Sequence, residues 1–111
     1  MSSPVTSEPW LGDACSLVDA FRSRVLSPVE ALDASLDAIE ASNLNAFSHV
    51  DTDAARAAAA SADISLPFGG VPIAIKELES VAGWPYTEAS LVFRDRVARY
   101  DSTHDARRRA R

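Results

Sequence analysis

The sequence holds one cysteine, one lysine, four glycines and 7% aromatic residues in 111 positions. With Cys15 alone, no disulfide can close within the chain, which fits a reducing, cytoplasmic setting. Cys15 falls inside an apolar helical pattern with no cation or helix start aimed at it. It therefore reads as a small buried hydrophobe rather than a nucleophile. Residues 1–10 have neither the basic nor the apolar region of a secretory signal and read as a flexible lead. No run approaches the ~20 apolar residues of a membrane span. The net charge is -5, which speaks against a nucleic-acid binder. His49 stands alone, without ligand partners at metal spacing, and reads as a structural side chain rather than a ligand.

What is present is a globular composition, 47% hydrophobic, sufficient for at most one domain with a modest core. Asp13 suits the N-cap of a helix carrying Ala14, Leu17, Val18, Phe21 and Val25 at helical spacing. Ser27, Pro28 and Glu30 write a capping box with proline in the first turn. Val29, Leu32, Leu36 and Ile39 then form an apolar stripe. Beside it run Glu30, Asp33, Asp37 and Glu40, a solvated face rather than a cation cage. Residues 46–50 read as a short extended run, with Phe47 and His49 alternating. Residues 52–62 read as an alanine-rich helix. Residues 91–100 are ambiguous, and Asp101 or Ser102 can cap a last helix. The order points to an α/β fold.

The lysine stands in "FGGVPIAIKELES", residues 68–80. After the Gly69–Gly70 turn, Val71, Ile73 and Ile75 alternate against Pro72, Ala74 and Lys76, the pattern of a strand over residues 71–76. On such a strand Lys76 is expected to be partly buried. Desolvation disfavours the ammonium, so a buried lysine can serve as a base near neutral pH. The other reading is a strand end whose lysine reaches water and pairs with Glu77 or Glu79; spacing alone favours it. Downstream, Trp84 and Tyr86 either line a pocket or cover a core edge.

The stretch "GGVPIAIKELESVAGWPYTEAS" resembles the first conserved block of the amidase signature family, through Gly70, Val71, Pro72, Lys76, Glu77, Gly83, Pro85, Thr87 and Ser90. "LSPVEALDASLDAIEASNLNAFSHVD" is similar to the family's N-terminal helix pair, and "YDSTHDARRRAR" to one of its helix starts. The resemblance runs from about Leu11 onward and implies a mixed sheet flanked by helices. This chain would supply two N-terminal helices and strands near residues 46–50 and 71–76, so that residues 11–111 form an incomplete amidase domain. It implies a Ser–cis-Ser–Lys unit in which Lys76 is the base, acting on carbon–nitrogen bonds of small-molecule amides. It implies no cofactor and no metal.

The Gly-Ser-rich block that carries both serines has no counterpart in these residues. The expectation is a truncated or frame-shifted reading of a longer gene, inactive by itself. An alternative is a non-catalytic interaction module, or a fragment that complements a separate remainder. The tail departs from the family as well. Asp105 and Arg108 stand where apolar residues are expected, and Arg107, Arg108, Arg109 and Arg111 crowd the end, the mark of a solvated or disrupted helix.

Overall fold

A computed structural model describes residues 8–111; the flexible lead expected at residues 1–10 lies mostly outside them. The chain divides into two compact units, Met1–Pro72 and Ile73–Arg111.

The first unit is helical. A short 3-10 turn, Pro9–Leu11, precedes α1 (Ala14–Arg22), α2 (Pro28–Ala41) and α3 (Thr52–Ala60). Asp13 caps α1 as expected, accepting from the Ser16 N–H at 2.7 Å and the Ser16 hydroxyl at 2.8 Å. Val18, Ala20 and Phe21 form the buried side of α1. Cys15, in the first turn of α1, is exposed and not the buried hydrophobe expected. Val25 is not helical either. Arg24 takes φ +61°, the left-handed conformation that ends a helix. The Val25 N–H then reaches the Ala20 carbonyl at 3.0 Å and the Arg24 N–H reaches that of Phe21 at 3.2 Å, the paired bonds of a Schellman stop.

α2 opens with the complete capping box: Ser27 accepts from the Glu30 N–H at 3.1 Å, and Glu30 accepts from the Ser27 N–H at 3.2 Å. Ala31 and Leu32 are buried, and Val29, Leu36 and Ile39 half-buried, so the apolar stripe faces inward. α3 packs on α2, and its alanines allow the close approach. Arg56 of α3 adds an ion pair at 2.7 Å to Asp33 of α2. Both groups are partly exposed, so the pair contributes about 0.2–1 kcal/mol. The acidic stripe thus divides by role: Glu30 caps, Asp33 pairs, and Asp37 and Glu40 are exposed.

The second unit has little regular structure beyond a 3-10 turn, Leu91–Phe93, and α4 (Thr103–Arg109). Residues 83–86 and 96–98 run antiparallel with one bridge, Pro85 to Val97. Three backbone bonds of 2.9 Å join them: Gly83 N–H to Ala98 C=O, Ala98 N–H to Trp84 C=O, and Tyr86 N–H to Arg96 C=O. Ser80, Val81, Ala98 and Asp105 are the buried residues of this unit. Ser102 caps α4, accepting from the Asp105 N–H at 3.2 Å.

The expected mixed sheet is not present among the described residues. Neither 46–50 nor 71–76 is a strand. Alternating apolar residues choose a face but do not make a ladder. A strand persists only when a neighbour accepts and donates its backbone hydrogen bonds, and no described segment does so for either run.

Candidate active site

The Gly-Gly turn that leads toward the lysine is built by the first unit. Arg22, in the last turn of α1, donates from Nε to the Ile64 carbonyl at 3.2 Å. Its Nη2 donates to the carbonyls of Ser65 and Leu66 at 3.4 and 3.2 Å. This fork holds residues 64–66, after which Gly69 N–H bonds Leu66 C=O and Val71 N–H bonds Phe68 C=O, both at 3.2 Å. Gly70 has φ +86° and lies so close to α2 that a Cβ there would stand 2.6 Å from Pro28 Cγ and 3.4 Å from Phe21 Cδ2. Only glycine meets both the conformation and the space.

Lys76 belongs to the second unit. It is exposed, on irregular backbone, and not the partly buried strand residue expected. Ile73 and Ala74 are exposed as well, so the lysine is not desolvated here. The Lys76 carbonyl accepts from the Glu79 N–H at 2.9 Å, closing a turn over residues 76–79. The two glutamates that spacing offered as its partners carry other bonds. Glu77 accepts from the Thr87 hydroxyl. Glu79 lies 3.7 Å from His104 Nδ1.

Within the second unit the structure brings several of the motif residues together. Gly83 and Pro85 sit in the paired segments, Thr87 reaches Glu77, and Ser90 caps the 3-10 turn by accepting from the Val92 N–H at 3.2 Å. Gly70, Val71 and Pro72 belong to the first unit. The residues from Thr87 to Ser90 form a tight turn with φ +50° at Glu88 and +57° at Ala89, closed by Ser90 N–H to Thr87 C=O at 2.9 Å.

Arg96 had no sequence signal, yet it organises this region. Its guanidinium lies 4.3 Å from the Tyr86 ring centre and 4.1 Å from that of Phe93. Its Nε donates to the Tyr86 carbonyl at 2.6 Å. The buried Nη2 lies 3.4 Å from the Glu88 carboxylate without an aligned hydrogen bond. Burial, and then the charge of Glu88, push the Tyr86 phenol above its ordinary value. An open concavity of about 680 Å³ lies alongside, lined by Ser80, Tyr86, Arg96, Arg99 and Tyr100 among others. Tyr86 lines it as one sequence reading anticipated, whereas Trp84 and Lys76 do not. Among the described residues no cluster of three or more metal-ligating side chains occurs, and no helix is long and apolar enough to cross a membrane.

Comparison with known proteins adds what geometry alone does not. The family model described as Amidase matches residues 30–110. The chain is 45% identical over 86 residues to a glutamyl-tRNA(Gln) amidotransferase subunit of Akkermansia muciniphila, covering 77% of this chain and 18% of that protein. The proteins of the same name from Rhodococcus erythropolis and Bordetella pertussis are 39% and 37% identical over 108 and 99 residues. They cover 88% and 83% of this chain, and 22% and 19% of themselves. The chain therefore spans about a fifth of the length of the curated relatives it matches. No solved structure matches it. The motif of Gly70, Val71, Pro72, Lys76 and Glu77 lies inside the matched region, and on these findings the chain belongs to the amidase family.

Proposed function

We propose that this chain is the lysine-bearing part of an amidase that cleaves carbon–nitrogen amide bonds by acyl transfer. Lys76 is its base, and the observation that carries the reading is the position of the chain's one lysine in the motif that the amidase match spans. In a Ser–cis-Ser–Lys unit a neutral lysine amine takes a proton through a bridging serine. The second serine, thereby activated, attacks the amide carbonyl, backbone N–H groups stabilise the oxyanion, and water releases the acyl group. Neither serine is assigned among these residues. The reading therefore needs a segment that bears both, and by itself the 111-residue chain lacks the covalent step.

The test is a chimera in which this chain replaces the aligned segment of the Rhodococcus erythropolis relative. Hydrolysis of simple amides is expected from the chimera. Lys76→Met is expected to lower it about 10²–10⁴-fold, the usual size of general-base catalysis. A Lys76→Met chimera that keeps its rate sinks the assignment, as does amide turnover above background by the 111-residue chain alone.

A second reading, an interaction module or complementing fragment, draws on a specific observation. Leu91 and Val92 are 85% and 84% exposed on one 3-10 turn, and Leu11, Val25 and Leu44 are exposed in the first unit. Such apolar exposure fits a surface that another polypeptide covers. The relatives are named as one subunit of an amidotransferase, which supports a protein partner. Size-exclusion chromatography and amide exchange separate the readings. A compact, well-protected monomer supports a self-standing module, and weak protection supports a piece that needs its remainder.

A further inference from the structure

We propose that Glu77 and Thr87 are positioning residues for Lys76, their hydrogen bond tying the lysine-bearing turn to the paired segments 83–86 and 96–98. The inference rests on the reading of Lys76 as a base. A lysine reaches its target through a flexible four-carbon stem, so its reactive geometry depends on how firmly its Cα is held. Here the lysine is exposed on irregular backbone, and its turn is closed by one backbone bond, Glu79 N–H to Lys76 C=O.

The next residue supplies a second tie. Glu77 is half-buried, and its carboxylate accepts from the hydroxyl of Thr87, also half-buried, ten residues on. Thr87 is itself firmly placed. Its carbonyl accepts from the Ser90 N–H at 2.9 Å and its Oγ1 from the Ala89 N–H at 3.3 Å. The residue before it, Tyr86, donates its N–H to the Arg96 carbonyl at 2.9 Å. Arg96 returns a bond from Nε to the Tyr86 carbonyl at 2.6 Å. From Lys76 the path runs through one peptide bond to Glu77, one side-chain hydrogen bond to Thr87 and one peptide bond to the ladder.

Relaxation of the backbone amides in the full 111-residue chain tests this. The amides of Lys76 and Glu77 are expected to show order parameters near about 0.85 in the unaltered chain, below about 0.6 in Thr87→Val, and restored values in Thr87→Ser, which keeps the hydroxyl. Glu77→Ala removes the same bond from its other end. It is expected to loosen the same amides, and the double variant no further than either single one. Should Thr87→Val also disturb the 83–86 pairing, Glu77→Ala, which lies outside that pairing, decides the matter. Unchanged amides in both single variants, an additive double variant, or a Thr87→Ser variant as loose as Thr87→Val overturns the proposal. These readouts do not depend on catalysis. A Lys76→Met chimera that retains its rate sinks the base assignment and leaves the tether standing, whereas unchanged amides sink the tether and leave the base assignment standing.

Discussion

Asp105 and Arg108, one turn apart on α4, form an ion pair at 2.9 Å in which the carboxylate is only 1% exposed. The Ser102 hydroxyl donates to the other carboxylate oxygen at 3.0 Å, while the Asp105 N–H returns a bond to that hydroxyl. An acidic residue thus fills a place where the family pattern leads one to expect an apolar one. The basic residues that follow it in the last turn complement the helix dipole. Arg108→Ala leaves a buried carboxylate without its cation. Since the Arg108 side chain is about half exposed, the loss is expected to be about 1–2 kcal/mol rather than the 3–5 kcal/mol of a fully buried pair. Urea denaturation followed by the near-ultraviolet circular dichroism of the aromatic side chains measures it. A change below about 0.3 kcal/mol contradicts the role given to the pair.

Gly70→Ala is expected to destabilise the first unit by about 2 kcal/mol or more, since it adds left-handed strain to a 2.6 Å approach to Pro28. Gly12→Ala is the control. Its φ is -85° and a Cβ there meets nothing nearer than 3.7 Å, so it is expected to be neutral. Thermal melts of the two variants side by side decide the point; equal shifts would show that the contact with Pro28 carries no weight.

Glu88 and Ala89 both have positive φ in a two-residue turn, the geometry for which Asn-Gly is the favoured pair. Ala89→Gly is therefore expected to stabilise the second unit by roughly 0.5–1 kcal/mol, even though it deletes a methyl group. Denaturant midpoints test this, and a lower midpoint for the glycine variant refutes it.

The Asp13 carboxyl is held below its ordinary value of 3.8 by the Ser16 N–H first and the Ser16 hydroxyl second, against a smaller opposing effect of burial. A group with a depressed folded-state value contributes stability that is fully present above its unfolded value and is lost as the pH falls through the folded one. The cap of α1 is thus expected to weaken as the pH falls below about 3.8. Asp13→Asn keeps an acceptor for the Ser16 N–H but cannot titrate, so its far-ultraviolet circular dichroism between about pH 2 and 5 is expected to lose that component. Identical acid profiles for the two chains would count against the cap as its source.

The local chemistry of the helices is legible residue by residue. Asp13, Ser27 with Glu30, and Ser102 each cap the helix that follows them, because a cap acts over three residues and needs no distant partner. The end of α1 is not legible in the same way. Helical spacing continues past Arg24 to Val25, whereas the backbone turns left-handed at Arg24. Cys15 shows a second limit, because a place within an apolar helical pattern does not by itself bury a residue. The family motif places Lys76, Glu77 and Thr87 in order, but the Glu77–Thr87 bond and the Arg96 clamp on Tyr86 span ten residues of loop and have no periodicity to reveal them.

By itself the sequence determined the caps, the helices they start, the family and the place of the single lysine. Each of these depends on neighbours in the chain or on the order of a motif. Tertiary structure decided where the strands do not form, that Lys76 is exposed, and that the carboxylate beside it is bonded to Thr87. The reason is physical. A helix satisfies its own backbone hydrogen bonds four residues away, whereas a strand must find them in another segment. In a chain that spans about a fifth of its relatives' length, residues 46–50 and 71–76 meet no such segment among the described residues.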